Sequence, residues 1–240
     1  MNIVIPMAGL GIRFANSGFN LPKPLIDING DPMIIKAITS LGISNAKYFF
    51  VIGKSKYSEK LKLEISSRVN CEFIEIDMIT EGPACSVLLF VDSINNEDEL
   101  IVANCDQIME WDSEIFLMNA RQFDGAVVTY HESTDKNSYA KINGKGQVLE
   151  IREKEVISNI SLNGIHYWKQ GSYFVQSARE MIRNDVRAPN GEFYVGPSFN
   201  FMIKSGYKVG CFHIPNQMHH AVGTPEDLKE FIRYENSKIE

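Results

Sequence analysis

Cysteine is scarce and scattered. Cys71, Cys85, Cys105 and Cys211 are the four in 240 residues, and no two form a CxxC pair. A zinc ribbon or a dithiol redox motif is therefore not expected. Most of the four lie inside apolar runs, where cysteine behaves as a small hydrophobe. A basic excess is also missing. The chain has 24 Lys and Arg against 30 Asp and Glu, a formal charge of −6. No basic stripe breaks that balance, so no nucleic-acid partner is expected. Long apolar runs are absent: stretches such as 86–91 fall far short of a bilayer span, and no membrane partner is expected. The opening residues, Met1-Asn2-Ile3-Val4-Ile5-Pro6, carry no basic leader and no cleavage-like site. The expected location is a reducing cytoplasm. Internal repeats, low-complexity tracts and an interdomain linker are not found.

What is present is an ordinary globular composition, with 44% hydrophobic and 22% charged residues. The first 130 residues alternate apolar strand runs with helical periodicity. Strands are predicted at 2–8, 47–52, 71–76, 100–104 and 126–130, and helices at 31–41, 57–68, 82–93 and 112–123. That alternation predicts an α/β fold: a doubly wound, mostly parallel (mixed) sheet flanked by helices, in which ligands bind at the carboxyl ends of strands. The second half differs. Asn143-Gly144-Lys145-Gly146 between 139–142 and 148–151 is a hairpin signal. A strand at 164–168, a helix at 173–183, a helix within 191–204, a strand at 207–214 and a last helix at 225–234 follow. The chain reads as one domain, 1–240, whose second half supplies a lid or a second pocket.

Two strand ends carry chemistry. After the first strand comes Ala8-Gly9-Leu10-Gly11-Ile12-Arg13-Phe14, then Pro22-Lys23-Pro24-Leu25. Glycines after a strand allow a tight turn that presents N–H groups to an anion. Arg13 can fork onto phosphate oxygens, and Lys23, between two prolines, offers a point charge. Phe14 stands where the dinucleotide fingerprint needs glycine, and no GKS or GKT follows, so neither that fingerprint nor a P-loop is present. At the fourth strand end, Asn104-Cys105-Asp106-Gln107 places a carboxylate suited either to Mg²⁺ or to capping the next turn.

The AGxGxRF-like loop, the PKPL run, Gly30-Asp31-Pro32-Met33, Asp106, Glu153-Lys154, Gly164 and Gly223-Thr224-Pro225 occur in order. As a set they resemble the sugar-phosphate nucleotidyltransferases of the pyrophosphorylase type. The segments PMAGLGIRF, ANCDQI, EKEVIS, GEFYVGPSFN and VGTPEDL look closest to a bacterial capsule-locus subgroup. The resemblance implies a Rossmann-like, GT-A-like nucleotidyltransferase fold, with an NTP-binding half at 1–130 and an acceptor-binding half at 131–240. It implies a cytoplasmic enzyme that joins an NTP to a sugar phosphate or similar small phosphorylated acceptor and releases pyrophosphate, for capsule or surface polysaccharide. A homo-oligomer is left open.

By resemblance, Ala8, Gly9, Gly11 and Gly82 meet the nucleotide, and Arg13, Lys23 and Asp106 are catalytic. Asp106 would hold Mg²⁺. Glu153, Lys154, Gly164 and Glu192 would meet the acceptor. Bland readings stand beside these. Gly82 opens a helix before Pro83, Arg152-Glu153-Lys154-Glu155 suits a charged surface turn, and Gly164 and Glu192 suit structural roles. His131, His166 and His213 read as packing or surface residues, and Trp111 and Trp168 as core or pocket wall. One departure stands out. Many members carry a second metal aspartate two residues before the Gly-Thr, where this chain has Ala221 after His219-His220. Three readings follow: Asp106 with phosphates and water holds the metal, a histidine joins it, or the chemistry differs. The competing functions are a GT-A-type glycosyltransferase using a nucleotide sugar, a cytidylyltransferase for a phosphorylated amino alcohol or polyol, and a nucleotide-sugar sensor without turnover.

Overall fold

The computed structural model describes residues 1–238. The chain begins with β1 (Asn2–Pro6), α1 (Ile12–Asn16), the short strands β2 (Asp27–Ile28) and β3 (Asp31–Pro32), and α2 (Met33–Leu41). Next come β4 (Lys47–Gly53), α3 (Ser58–Ser66), β5 (Cys71–Ile76), α4 (Pro83–Leu88), α5 (Val91–Ile94) and β6 (Leu100–Ala103). The second half holds β7 (Gln107–Met109), α6 (Ser113–Ala120), β8 (Gly125–His131), β9 (Ser138–Ile142), β10 (Val148–Glu153) and β11 (Ile160–Trp168). It ends with α7 (Gly171–Arg183), α8 (Phe199–Lys204), β12 (Val209–His213), β13 (His219–Ala221) and α9 (Pro225–Ser237).

The main sheet runs β10-β9-β11-β6-β1-β4-β5, with β8 pairing both β11 and β12. Strands β6, β1, β4 and β5 are parallel, and β11 joins them antiparallel beside β6. This is the expected mixed α/β sheet. Strict alternation along the strands feeds two cores, as a two-residue side-chain period requires. Ile3, Ile5, Phe50, Ile52, Ile101 and Ala103 face one layer with α2 and α6. Val4, Phe49, Val51, Leu100 and Val102 face the other with α4, α7 and α8. Each such fully buried side chain contributes roughly 1.5–3 kcal/mol.

Several boundaries differ from expectation, each for a local reason. The helix expected over 82–93 divides into α4 and α5. Phe90 leaves helical geometry there (φ −91°, ψ 20°) and turns in against Phe49, with ring centroids 5.0 Å apart. The helix expected from residue 31 starts at Met33, because Pro32 is extended and pairs with Asp27. The strand expected at 164–168 begins at Ile160. Gly164 does not start it but sits in a bulge: Leu162 pairs with Thr129 and His166 with Val127, so β11 carries two extra residues between those pairs.

A third cluster positions the site. Phe14, Ile26, Met33, Ile108, Val222, Leu228 and Phe231 pack together, tying the loop after β1 to α9. Strand β13 pairs antiparallel with β7, setting Ala221 opposite Gln107, and the Val222 N–H donates to the Asp106 carbonyl at 2.9 Å. Thr224 then caps α9 in a reciprocal capping box with Asp227.

Candidate active site

β1 is flanked by β4 on one side and β6 on the other, so the chain reverses its direction of travel across the sheet at β1. The crevice at that reversal, outside the carboxyl ends of β1 and β6, is where open α/β sheets bind ligands. Here it is a cleft of about 540 Å³. Gly9, Gly11, Arg13, Lys23, Asn104 and Asp106 line it together with Gly223. The structure thus brings the first-loop residues and the fourth-strand aspartate to one place.

Local geometry explains the loop. Gly11 is left-handed (φ 59°) and precedes α1, and a Cβ there would lie 3.3 Å from the Lys23 Cβ. Only glycine allows both the turn and the approach of Lys23. Gly9 faces open space. Ala8 packs partly buried against the second core, with its carbonyl close to Gly53. Arg13 is exposed on α1 and makes no salt bridge among the described residues.

Lys23 and Asp106 form an ion pair, each side chain 18% exposed. Burial pulls the Lys23 ammonium down, but the Asp106 carboxylate more than offsets this and holds it above its ordinary value. Asp106 Oδ2 would lie 2.9 Å from a Cβ on Gly223, so glycine at 223 keeps that carboxylate's place open. Burial pushes the Cys105 thiol up to about 11, which leaves it protonated.

A second pocket of about 210 Å³ adjoins the cleft; Pro83, Asn104 and Tyr194 line both. Its wall includes Gln107, Tyr130, Asn137, Ser138, Glu153, Asn163, Gly164, His166 and His219. Glu153 is not a surface residue but 7% exposed, and Ser138 donates a hydrogen bond to it. Burial raises its carboxyl above the ordinary value, against that hydrogen bond. Lys154 turns away into the left-handed region (φ 56°), a costly conformation for a non-glycine residue, and its Nζ donates to the Tyr194 hydroxyl at 2.9 Å. Gly164 is also left-handed (φ 95°), and a Cβ there would collide with the Asn104 side chain.

Four expected residues sit differently. Ala8 and Lys154 line neither the cleft nor the second pocket. Gly82 is buried, and a Cβ there would run into the Phe193 backbone. Its need for glycine is met by that packing, while Pro83 faces the cleft. Glu192 lines the first cleft rather than the second pocket, and Asn190 donates to it at 2.8 Å. Sequence reasoning missed Asn104, Gln107, Tyr130, Ser138, Asn163 and Tyr194. His166, expected to be a packing residue, lines the second pocket, because the bulge at Gly164 opens space beside it. Trp168 is fully buried, as expected of a core residue.

The histidines before Ala221 diverge. His219 hydrogen-bonds to Gln107 and lies tilted against Tyr130, with centroids 4.5 Å apart. Burial pulls it down to about 4, so it is neutral near pH 7. His220 faces α9, 3.2 Å from Glu110 and beside Phe231 and Tyr234. Among the described residues no cluster of three His, Cys, Asp or Glu side chains could hold a metal. Asp106 and Glu192 are the carboxylates that line the cleft, and Asp106 is the one at the end of β6. That fits Mg²⁺, which commonly takes one or two carboxylates and completes its shell with phosphate and water. No described helix is long and apolar enough to cross a membrane.

Known proteins share this architecture. The chain is 26% identical over 240 residues to the bifunctional protein GlmU of Methanocaldococcus jannaschii, covering all of this chain and 55% of that protein. It thus spans about half the length of that curated relative. It is 25% identical over 197 residues to the choline-phosphate cytidylyltransferase of Haemophilus influenzae, covering 81% of this chain and 80% of that protein. The crystal structure of the nucleoside-diphosphate-sugar pyrophosphorylase from Vibrio cholerae superposes with a TM-score of 0.85 at 22% identity, over 96% of this chain and 99% of that one. That likeness shows the fold. The nucleotidyl transferase family pattern matches residues 3–235, nearly the whole chain. The chain belongs to the nucleotidyl transferase family.

Proposed function

We propose that the protein transfers a nucleotidyl group from an NTP to a small phosphorylated acceptor, a sugar phosphate by default, with release of pyrophosphate. One observation carries the reading. The Gly9–Gly11 turn, Arg13, Lys23 and Asp106 converge at the adjoining ends of β1 and β6, and that cleft shares Pro83, Asn104 and Tyr194 with the pocket lined by Glu153 and Gly164. The first place suits a triphosphate and the second an acceptor. In this reading residues 1–130 bind the NTP and 131–240 the acceptor. A phosphate oxygen of the acceptor attacks the α-phosphorus in line, and the bond from that phosphorus to the bridging oxygen of pyrophosphate breaks. The nucleophile is already an anion, so no general base is needed. Catalysis is then positioning and charge neutralisation.

Arg13 holds the leaving phosphates as a fork, and Lys23 neutralises charge near the α-phosphate. To do so Lys23 leaves its partner Asp106, the residue that would hold Mg²⁺. Mg²⁺ would supply charge neutralisation at the phosphates. Lys154 meets the incoming phosphate by turning from the Tyr194 hydroxyl to which it donates. The capsule-like segments support a product used for surface polysaccharide. The test is a matrix of NTPs against phosphorylated acceptors, read by pyrophosphate release with Mg²⁺ and with chelator. Metal-dependent release with one pair is expected. Transfer without pyrophosphate would mean a glycosyltransferase, and tight binding without turnover a sensor.

A further inference from the structure

Three half-buried polar side chains form a line from the second pocket to the cleft. His219 and Gln107 line the pocket, and Asp106 lines the cleft. Gln107 Nε2 lies 3.4 Å from Asp106 Oδ1, and Gln107 Oε1 meets His219 Nε2. Lys23 holds the other Asp106 oxygen, Oδ2. Chemistry fixes the direction of the line. A carboxylate only accepts, so the Gln107 amide turns its NH₂ to Asp106 and its oxygen to His219. That oxygen also only accepts, so the imidazole donates from Nε2. The strands set the reach. On β7 and β13, Ala221 stands opposite Gln107 and His219 opposite Met109, so Gln107 and His219 are diagonal neighbours on one face. Alanine at 221 puts only a methyl beside them, which leaves the long Gln107 side chain room to cross to the ring. The ring is itself held: it lies against Tyr130, whose hydroxyl accepts from Asn137 at 3.0 Å. His220 alternates to the other face, 3.2 Å from Glu110, and takes no part.

We propose that Gln107 and His219 are positioning residues that orient the Asp106 carboxylate from the side of the second pocket. This rests on the reading of Asp106 as the residue that would hold Mg²⁺. A carboxylate held at one oxygen can turn about its Cβ–Cγ bond. Lys23 holds one oxygen of Asp106, Gln107 holds the other, and His219 holds Gln107. Ala221, opposite Gln107, offers no ligand of its own, so the orientation of Asp106 rests on this line. Hydrogen-bonded partners of a metal-ligating group commonly set its direction and its affinity. At 3.4 Å the Gln107 link is the weakest in the line, and its removal is the first variant.

The experiment compares wild type with Gln107→Leu, His219→Phe, His219→Gln and the double variant Gln107→Leu/His219→Phe. Leucine keeps the bulk and phenylalanine keeps a ring against Tyr130, so the melting temperature should hold. Mn²⁺ binding is measured by electron paramagnetic resonance with each common NTP in turn and no acceptor. Removing such a partner typically costs about 10–100-fold in metal affinity. A loss of about tenfold is expected for Gln107→Leu and no more than that for His219→Phe. The double variant should bind as Gln107→Leu does, because both substitutions cut one line. His219→Gln, which keeps an N–H donor, should stay near wild type. Wild-type affinity in Gln107→Leu, or additive losses in the double variant, would overturn the proposal. So would a larger loss in His219→Phe than in Gln107→Leu, which would make the imidazole itself a metal ligand. Should wild type bind no Mn²⁺ with any NTP, the metal reading of Asp106 falls, and ¹⁵N shifts of the His219 ring decide the line. A proton fixed on Nε2 in wild type and freed in Gln107→Leu supports it. A proton on Nδ1 with a bare Nε2, or shifts indifferent to Gln107→Leu, overturns it.

Discussion

The Lys23–Asp106 pair separates stability from catalysis, and a double-mutant cycle reads both. Each side chain is 18% exposed, between the surface and the interior. Exposed pairs are worth about 0–1 kcal/mol, and breaking a buried pair costs about 3–5 kcal/mol. A coupling of about 1–3 kcal/mol is expected here. Lys23→Met leaves Asp106 without its cation, and Asp106→Asn leaves a half-buried ammonium without its anion. Each single variant should lose that stability, about 2–12 °C in melting temperature for a chain of this size. The double variant removes both charges and should return close to wild type.

Activity should follow a different pattern. Removing a charge that stabilises the transition state typically costs about 2.7–4 kcal/mol, or two to three powers of ten in rate. Both single variants and the double variant should therefore be slow, the double showing no rescue. Urea unfolding gives the first cycle and pyrophosphate release the second. The pH sign is also fixed. Lys23 is raised in the folded state, so its contribution is fully present below the unfolded value of 10.5 and is lost only as pH rises through the higher folded value. The coupling should then be constant between pH 6 and 9. Additive losses of stability would refute the pair, and near-normal turnover by the double variant would refute its catalytic role.

Arg13→Lys should lower kcat/KM for the NTP at least tenfold with unchanged melting, because an ammonium cannot reproduce the fork; equal kcat/KM would remove Arg13 from the phosphate site. Gly164→Ala should cost about 1–3 kcal/mol in unfolding free energy and raise the acceptor KM, since the new methyl meets Asn104 at a left-handed position; wild-type values of both would show that Asn104 moves aside freely. In acid, His166 and His219 each titrate near 4 when folded against 6.5 unfolded, so the unfolded chain binds more protons in that window and stability falls as pH drops from about 6.5 to 4. Glu153, raised when folded, works in the opposite sense there. Melting curves of His166→Phe across that window should show a shallower decline than wild type, and parallel curves would contradict the buried neutral imidazole.

The first half of the fold was legible because its signals are local. A run such as 100–103 is apolar throughout, as a strand covered on both faces must be, and the prediction of 71–76 matches β5 to the residue. The glycine turn, Lys23 and Asp106 lie at strand ends, so alternation alone placed them on one edge. What escaped depends on pairing. β7 and β13 are three residues each and have no recognisable period, yet their pairing carries Ala221 and Gly223 to Asp106. The break between α4 and α5 follows from a contact of Phe90 with Phe49 on another element, which no helical pattern encodes.

The second pocket shows the same limit more sharply. Gly164 was singled out by resemblance, but its physical reason is the side chain of Asn104, sixty positions earlier and on the neighbouring strand's end. His166 looked like packing because it falls in step with Leu162 and Trp168, and a histidine on an apolar face is usually a satisfied core residue. Its neighbours on the sheet decide otherwise. The two extra residues of β11 lift Asn163 and Gly164 out of register with β8 and leave space where β9 and β10 bring Ser138 and Glu153. The cleft beside β1 is written in contiguous motifs because a backbone turn builds it. The second pocket is written across six strands, and only their pairing brings its residues together.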